Sequence, residues 1–407
     1  MNILLLTNCI AQPDDVDKSV NDLVFSFALE WKKAGHRVVI VNSESKFPIL
    51  FYKMPRFVIN FFKKHGNFTI PSLASRKPLF WERDGISIAR FPIFKPFPHC
   101  SFRKKQYLHQ EHLIKEYLGS LDFTPDVITG HWLEPQLVLI NDLASFYGSK
   151  KAIVIHGELP RGLSASYKKM MSGLDIVFFR SVCVKNKMIS LYGDDFLRPS
   201  KTKVCYSGIP DKFVFEQKAR TDWSNGGRLK FVFAGRLEKY KRIDTVLLAL
   251  KAAFPHKNFS FEVVGSGPEF DDLVRLTKKI GLEENVHFTG RVSRDQVIER
   301  MRTADCFVMP SENEVFGLVY LEAMSCGCLT IASKNGGVDG IIKDGDNGFL
   351  CSQGDVRSLT ETLVRIDGFS NSEKSRIRKS GYETVKAFTD SKAAKSYIDA
   401  IVKSDNR

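Results

Sequence analysis

The sequence predicts an α/β protein made of two domains, each built around a doubly wound parallel sheet. Short apolar strands alternate with helical stretches along the chain, and this pattern is typical of parallel sheets that carry helices on both faces. The chain has 407 residues, which is more than one hydrophobic core usually organises. A turn-rich stretch at 221–228 separates the two halves. We therefore expect domains at 1–220 and 221–373, followed by helices at 374–407.

The first half opens with a βαβ unit. Residues 3–7 and 37–42 are apolar runs, and the stretch between them at 20–34 carries apolar side chains at helical spacing. Further apolar runs predict strands at 127–129, 152–155, 176–179 and 203–206. Because parallel strands need a long crossover, the helices between these runs fit a parallel sheet.

The second half has the same alternation of strands and helices. Its predicted strands lie at 229–235, 261–265, 286–290, 305–310 and 329–333. The final stretch, 374–402, is helical, and its apolar positions are spaced for packing on another element. We expect it to cross back to the first domain.

Positive charge is concentrated in one part of the chain. The net charge is +14, and residues 46–105 hold 13 Lys or Arg, two acids and 13 aromatic side chains. We call this stretch the basic aromatic segment. Cations interleaved with aromatic rings favour an anionic membrane surface or a lipid-linked ligand. A solvated surface over a core is the alternative, and because no nucleic-acid-binding motif accompanies the charge we expect no nucleic-acid partner.

Targeting signals give an expectation about location. No apolar run reaches the roughly 18 residues that a membrane span needs. The first residues are apolar but lack a basic leader and a cleavage signal. We therefore expect a cytoplasmic protein, with the inner face of the cell membrane as the alternative location.

Two glutamates follow a strand end in the second half and are the sharpest chemical signal. Glu314 and Glu322 lie eight positions apart, and Gly317 between them lets the backbone approach a ligand closely. A helix starts at Leu318, and the amides at a helix start can bind a diphosphate. Glu322 would then accept hydrogen bonds from ribose hydroxyls, and Glu314 from hydroxyls of a sugar. The alternative interpretation is that both glutamates are surface or capping residues.

Two cations follow the first strand of the second half. Gly235 and Arg236 come directly after this strand and Lys241 follows shortly, at the edge where open α/β sheets bind ligands. Arginine clamps phosphate bidentately, and lysine adds a point charge. Gly265 and Gly267 form a further strand-end turn, which lacks the third glycine of a dinucleotide-binding fingerprint.

Together these motifs resemble the large family of retaining glycosyltransferases known as family 4, whose fold is called GT-B. The shared elements are an E-x7-E motif, an arginine and a lysine after the first strand of the second domain, and a VGxGP turn. Other segments match in the same order: Pro125-Asp126, His131-Trp132, His156-Gly157, 286–293, Ala323-Met324 and 344–348. The resemblance covers nearly the whole chain. It implies two Rossmann-like domains that face each other across a cleft.

The resemblance also implies a role for each site residue. Arg236 and Lys241 would bind the donor diphosphate, and Glu322 the ribose. Glu314 and His156 would contact the transferred sugar, so that the catalytic set is His156, Arg236, Lys241 and Glu314. The other donor-binding positions implied are Gly235, Gly267, Val292 beside the nucleobase, Phe316, Gly317 and Leu318.

The activity implied is retaining transfer of a hexose-type sugar from a nucleotide-sugar donor, such as a UDP- or GDP-sugar, to a glycan acceptor. The first domain would bind the acceptor and the second the donor. With the basic aromatic segment, this suggests a lipid-linked acceptor and synthesis of surface polysaccharide (O-antigen, capsule or exopolysaccharide). A nucleotide-sugar epimerase of the same architecture and a non-catalytic sugar-nucleotide-binding partner are the alternatives.

Two acidic motifs bear on metals. Asp15 and Asp17 form a D-x-D sequence, but they lie in an N-terminal loop rather than after a mid-domain strand. The stretch from Asp344 resembles the start of a calcium loop, yet its fifth position is Gly348. We therefore expect neither a metal nor another cofactor.

Overall fold

The computed structural model describes residues 1–13, 23–55, 58, 73–98, 100–157, 159, 164–193, 197–214 and 228–404. These residues form two compact units. Unit 1 contains Met1–Phe179, Lys187–Cys205 and Ala393–Arg407, and unit 2 contains Arg180–Asn186 and Tyr206–Lys392. The boundaries predicted from the sequence were 220 and 373. Unit 2 contains the predicted second domain and also short segments that precede and follow it.

The strands of unit 1 are β1 (Asn2–Thr7), β2 (Arg37–Asn42), β3 (Ser45–Lys46), β4 (Leu79–Arg83), β5 (Ile86–Arg90), β6 (Ile93–Phe94), β7 (Val127–His131), β8 (Lys150–Ile155), β9 (Ile176–Phe179) and β10 (Thr202–Val204). Eight of them form one sheet in the order β10-β9-β8-β7-β1-β2-β5-β4. All neighbours in this sheet are parallel except β4 and β5. The strand order reverses between β1 and β7, as in a doubly wound fold.

The strands of unit 2 are β11 (Leu229–Ala234), β12 (Phe259–Val264), β13 (Val286–Gly290), β14 (Cys306–Val308), β15 (Leu329–Ser333) and β16 (Phe349–Cys351). They form a parallel sheet in the order β13-β12-β11-β14-β15-β16. This is the 3-2-1-4-5-6 order of the Rossmann fold, and it reverses between β11 and β14.

The helices up to the middle of the chain are α1 (Leu23–Lys33), α2 (Ile49–Tyr52), α3 (Lys104–Ser120), α4 (Gln136–Tyr147), α5 (Ala165–Ser172) and α6 (Val182–Tyr192). Those that follow are α7 (Ile243–Ala253), α8 (Phe270–Lys279), α9 (Arg294–Thr303), α10 (Leu318–Ser325), α11 (Val356–Asp367), α12 (Asn371–Val385) and α13 (Asp390–Val402). Helices α6 and α13 are each divided between the two units.

The C-terminal segment is part of the core of unit 1, which confirms the predicted return of the last helix to the first domain. The indole of Trp31 donates to the carbonyl of Ala394 over 2.8 Å. The hydroxyl of Tyr397 is 2.6 Å from that of Thr129, and its ring packs edge-on against Phe27. The predicted helix at 374–402 is in fact two helices, α12 and α13, of which only the second contributes to unit 1.

Other predicted elements differ mainly in their bounds. The strand expected at 305–310 ends at Val308, since Pro310 has no amide hydrogen to donate to a neighbouring strand. The strand expected at 203–206 is Thr202–Val204. The start of the first predicted helix, at 20–22, lies outside the described residues, and the helix is described from Leu23.

Candidate functional site

The candidate site of unit 2 lies where the strand order of its sheet reverses. In open α/β sheets, ligands bind outside the carboxyl ends of the strands at this point. Gly235 and Arg236 directly follow β11, and the loop 309–317 follows β14. The two segments that carry the predicted cations and Glu314 therefore meet at the same edge of the sheet.

Lys241 and Glu314 form an ion pair across these two segments. Their side chains are only 11% and 14% exposed. Burying a charge costs free energy unless an opposite charge lies beside it. Each residue of the pair therefore reduces the cost of burying the other. Lys241 Nζ also lies 5.0 Å from the centre of the Tyr240 ring. The pair brings together two of the four predicted catalytic residues.

A second pair, which the sequence did not reveal, joins the same two segments. The guanidinium of Arg242 donates to Glu312, and the amide of Glu312 donates to the carbonyl of Tyr240 over 2.7 Å. Arg242 has a φ of 54°, a left-handed conformation that is uncommon for a residue with a side chain. The loop that carries Glu314 is therefore attached to the turn that carries Lys241 at more than one point.

Arg236 is placed differently from Lys241. Its side chain is 74% exposed, and its Nε lies 2.6 Å from Glu238 Oε1. The structure therefore puts both predicted phosphate-binding cations after the same strand but pairs them with different carboxylates. Arg236 is the one with the solvent-exposed guanidinium.

The backbone before α10 is shaped by Gly317. This residue precedes the helix with a φ of 79°, which favours glycine. A Cβ added here would lie 2.6 Å from the Tyr320 ring. Phe316 is buried, and the backbone of Gly337 packs against it so closely that no side chain would fit at 337. Leu318 is the first residue of the helix, so the predicted diphosphate-binding amides lie at its start.

Glu322 lies in the second turn of α10 and is held by an arginine. Its side chain is 9% exposed, and Arg294 Nε and Nη2 lie 2.7 Å and 2.5 Å from Glu322 Oε1. Arg294 begins α9, two positions after the predicted nucleobase neighbour Val292, which is half-buried against the core of unit 2. The contact with Arg294 was not predicted from the sequence, because 28 positions separate the two residues.

The glycines of the VGxGP turn have a packing role. The amide of Leu237 donates to the carbonyl of Ser266 over 3.0 Å, so this turn lies directly against the turn after β11. A Cβ at Gly265 would collide with the backbone of Gly235, and one at Gly267 with the backbone of Leu237. Close contact between the two turns is therefore sufficient to require glycine at both positions.

Unit 1 has a candidate site at the equivalent edge of its own sheet. His131 ends β7, beside the reversal of strand order, and His156 follows the neighbouring strand β8. His131 Nδ1 and His156 Nε2 are 2.7 Å apart. The ring of Trp132 stacks on His156 with the centroids 4.2 Å apart, and Trp132 has a φ of 69°. The predicted catalytic histidine is thus held by a buried histidine and a tryptophan.

A carboxylate and two phenols extend this edge of unit 1. The hydroxyl of Tyr167 donates to Glu134, and it lies 3.4 Å from the hydroxyl of Tyr107. Burial, above all, raises the pKa of Tyr107 to about 12. Burial also raises the pKa of Tyr167, and the hydrogen bond to Glu134 adds to the shift. Both phenols are therefore neutral donors at physiological pH.

The described part of the basic aromatic segment presents apolar side chains to solvent. Lys95 donates its amide to the carbonyl of Lys46 over 2.8 Å, which brings the 93–97 stretch beside the one that leads to α2. The rings of Phe51 and Phe97 are 5.9 Å apart. Leu50 is 71% exposed and Phe97 62%. We call Ile49, Leu50, Phe51, Phe94 and Phe97 the apolar patch; Arg56, Phe57, Phe61, Phe62, Lys63 and Lys64 lie outside the described residues.

Neither a metal-binding cluster nor a membrane-spanning helix is found among the described residues. Within the described residues, no three His, Cys, Asp or Glu side chains are grouped so that they could hold a metal ion. Asp15 and Asp17 of the D-x-D sequence are outside those residues. In the same part of the chain, every helix is too short or too polar to cross a bilayer.

Comparisons with solved structures define the fold class. The Anabaena protein HepE, solved in complex with UDP and glucose, is 18% identical, with a TM-score of 0.64 and 99% of each chain covered. Sucrose-phosphate synthase from Thermosynechococcus elongatus is 17% identical, with a TM-score of 0.69 and 98% of each chain covered. With the two doubly wound sheets, these similarities confirm the predicted GT-B fold.

Sequence comparisons identify a family for part of the chain. The model for glycosyl transferases group 1 matches residues 215–381, which places this part of the chain in that family and confirms the resemblance. N-acetyl-alpha-D-glucosaminyl L-malate synthase of Bacillus anthracis is 31% identical over 46% of this chain and 51% of its own length. A D-inositol 3-phosphate glycosyltransferase of Mycobacterium sp. (strain KMS) is 26% identical over 63% of this chain and 58% of its own. The chain thus spans about half to three fifths of these curated relatives.

Proposed function

We propose that this protein is a retaining glycosyltransferase that moves a hexose-type sugar from a UDP- or GDP-sugar to a glycan acceptor. The observation that carries the proposal is the nearly buried Lys241–Glu314 pair at the strand-order reversal of unit 2, with Glu322 on the helix that follows. A cation for phosphate and carboxylates for sugar hydroxyls are the groups that a nucleotide-sugar donor requires.

The charges of unit 2 suit the departure of a nucleoside diphosphate. Cleavage of the glycosyl–phosphate bond builds negative charge on the diphosphate and positive charge on the sugar ring. In this proposal Arg236, Lys241 and the first amides of α10 stabilise the negative charge, and Glu314 binds the sugar. Since Lys241 is already fixed by Glu314 in the structure, it needs no reorganisation when the charge develops.

His156 is proposed to contact the transferred sugar. It follows a strand of unit 1, and its ring is fixed on two sides by His131 and Trp132. In this proposal the acceptor oxygen bonds to the anomeric carbon on the same face from which the diphosphate leaves, as the glycosyl–phosphate bond breaks. The proton of the acceptor hydroxyl passes to an oxygen of the departing phosphate, and attack on that face retains the anomeric configuration. No step in this scheme needs a protein nucleophile.

We propose that the reaction is independent of metal ions. The two cations and the helix start would balance the diphosphate charge that a divalent ion balances in other enzymes. Turnover should therefore be unchanged after dialysis against EDTA. Loss of activity in EDTA that is restored by Mg²⁺ or Mn²⁺ would contradict this part of the proposal.

The acceptor is proposed to be a lipid-linked glycan in the assembly of surface polysaccharide, presented at the inner face of the membrane. The apolar patch and the cations of the basic aromatic segment support this choice. A Mycolicibacterium smegmatis relative, 25% identical over 75% of its length, is named as a GDP-mannose-dependent phosphatidylinositol monomannoside mannosyltransferase. Its name describes both a nucleotide-sugar donor and a lipid-linked acceptor.

The first experiment is a panel of UDP-, GDP- and ADP-sugars. Each is scored by thermal shift and by slow release of nucleoside diphosphate, with Glu322→Ala and Arg236→Ala as site variants. Arg357→Ala is the matched control, because Arg357 is 88% exposed and pairs only within its own helix with Glu361 among the contacts described. We expect one donor to stabilise and be hydrolysed, and both effects to be lost in the site variants but not in the control. A folded protein that responds to none of the donors would contradict the proposal.

A further inference from the structure

Glu322 forms an ion pair with Arg294, and the two side chains are exposed to different extents. Arg294 Nε and Nη2 both lie within 2.7 Å of one oxygen, Oε1. The carboxylate is 9% exposed, whereas the arginine side chain is 47% exposed. The arginine is thus the outer member of the pair, and a ligand that reaches Glu322 from solvent meets both groups.

The start of its helix and one aromatic ring restrict the position of Arg294. It is the first residue of α9, whose start is set by a capping box: the Ser293 hydroxyl accepts from the amide of Gln296, and the Gln296 side chain accepts from the amide of Ser293 over 3.0 Å. The guanidinium also lies over the ring of Phe213, 5.0 Å from its centre. Arg294 begins a capped helix, and its planar guanidinium lies over an aromatic ring. The guanidinium therefore has few orientations available.

A carboxylate held through one oxygen can offer the other to a ligand. An ionised glutamate only accepts hydrogen bonds, and each oxygen can accept more than one. With Oε1 bound to Arg294, Oε2 would be kept at a fixed position for a donor such as a hydroxyl. Without the arginine, a nearly buried carboxylate would lack a charged partner and would turn toward solvent.

We propose that Arg294 determines the specificity of this protein for ribonucleotides, by positioning Glu322 to accept hydrogen bonds from the ribose hydroxyls of the donor. The inference rests on the proposed function, in which Glu322 binds the ribose. Arg294 acts through Glu322 and is a positioning residue. Its contribution to affinity therefore exists only for nucleotides that carry ribose hydroxyls.

The experiment compares a nucleoside diphosphate with its 2′,3′-dideoxy form by isothermal titration calorimetry. The base is the one that the donor panel selects. The variants are Arg294→Gln, Arg294→Lys and the control Arg357→Gln, whose guanidinium is exposed on α11. Melting of each variant without nucleotide reports folding separately.

We expect the unsubstituted protein to bind the ribonucleotide at least about tenfold more tightly than the dideoxy form, since hydrogen bonds to a charged acceptor are among the stronger ones. Arg294→Gln should weaken ribonucleotide binding by about that factor and leave binding of the dideoxy form unchanged. Arg294→Lys should retain part of the preference, and Arg357→Gln all of it.

Three results would overturn the inference, and they are distinguishable. Equal loss of affinity for both nucleotides in Arg294→Gln would mean that Arg294 only maintains the local structure. An unchanged preference in this variant would mean that Glu322 needs no positioning. If the unsubstituted, folded protein bound neither nucleotide, the proposed function itself would fail and the inference with it.

Discussion

At the scale of single residues, variants of Lys241 and Arg236 should have similar effects on turnover but different effects on stability. Both are proposed to stabilise the departing diphosphate, so Lys241→Ala and Arg236→Ala should each reduce turnover by about 10²- to 10³-fold. Only Lys241 is nearly buried against a carboxylate. Its removal leaves Glu314 without its partner and should cost up to about 3–5 kcal/mol of unfolding free energy. Arg236→Ala should leave the unfolding free energy almost unchanged.

Urea unfolding and steady-state kinetics measured on the same preparations test this pair of variants. Lys241→Met, which keeps an aliphatic side chain but no charge, separates packing from charge. An unchanged unfolding free energy in Lys241→Ala would mean that the ion pair does not stabilise the folded protein. Near-normal turnover in both alanine variants would rule out the proposed phosphate-binding roles.

Gly317 gives a second prediction at this scale. Gly317→Ala should lower the unfolding free energy by more than about 1 kcal/mol and also lower turnover, since the new Cβ meets Tyr320 at a positive φ and displaces the start of α10. Gly345→Ala is the control: its φ of 75° is similar, yet no other described atom lies within 4 Å of a Cβ at that position. Thermal melts and kinetics of the two variants separate backbone strain, which both share, from the collision with Tyr320, which only Gly317→Ala introduces. Equal losses in both variants would contradict the role assigned to Tyr320.

Some of the site could be predicted because its residues are neighbours along the chain. Glu314, Gly317 and Glu322 belong to one short motif, so spacing and strand-end position are enough to suggest them. Arg294, Arg242 and Glu312 were missed, because their contacts exist only after separate segments have folded together. The sequence carries no signal for them. Asn313 and Arg242 have positive φ values although neither is a glycine, and such strain is visible only in three dimensions.

At the scale of elements, apolar runs predicted the parallel strands well and short or edge strands poorly. Strands β3 and β6 have two residues each and carry no usable periodicity. The β4–β5 hairpin was missed although Asp84-Gly85 is a strong hairpin signal. Both residues have positive φ, as a type I′ turn requires. The helix predicted at 374–402 was drawn too long because periodicity does not show the break between α12 and α13.

The link between β15 and β16 allows a prediction about pH. Burial acts to raise the pKa of Asp344, but hydrogen bonds from Arg365 and from the amide of Leu350 outweigh it and lower the pKa below its usual 3.8. The ionised form is therefore favoured in the folded state. Its stabilising effect is fully present above pH 3.8 and is lost as the pH falls through the lower folded-state value.

Asp344→Asn should remove this dependence. We expect the variant to be less stable than the unsubstituted protein at pH 6 and the difference to shrink as the pH approaches 3, measured as unfolding free energy in urea. Arg365→Gln should give the same trend, because it removes the partner that lowers the pKa. A difference that stays constant from pH 6 to pH 3 would show that Asp344 does not contribute through its charge.

At the scale of the whole molecule, the positive charge is distributed unevenly. The net charge is +14, and the basic aromatic segment alone has an excess of 11 cations over acids, from 13 Lys or Arg and two acids. A basic surface attracts anionic lipid in a way that weakens with salt, since the Debye length is about 8 Å at physiological ionic strength. If the protein binds such lipid, exposed apolar side chains such as Leu50 and Phe97 would add a contribution that salt does not screen.

The last prediction follows from these two contributions. The protein should bind vesicles of phosphatidylglycerol and phosphatidylcholine, but not of phosphatidylcholine alone, and binding should fall as NaCl rises from 50 to about 300 mM. Lys53→Glu with Lys104→Glu should weaken binding at low salt. Lys278→Glu with Lys279→Glu, which makes the same change of net charge at exposed positions of α8, should not. Leu50→Ser with Phe97→Ser should remove the binding that remains at high salt. If the two charge-reversal variants bind equally well in a co-sedimentation assay, only the net charge matters, and the basic aromatic segment is not the membrane-facing surface.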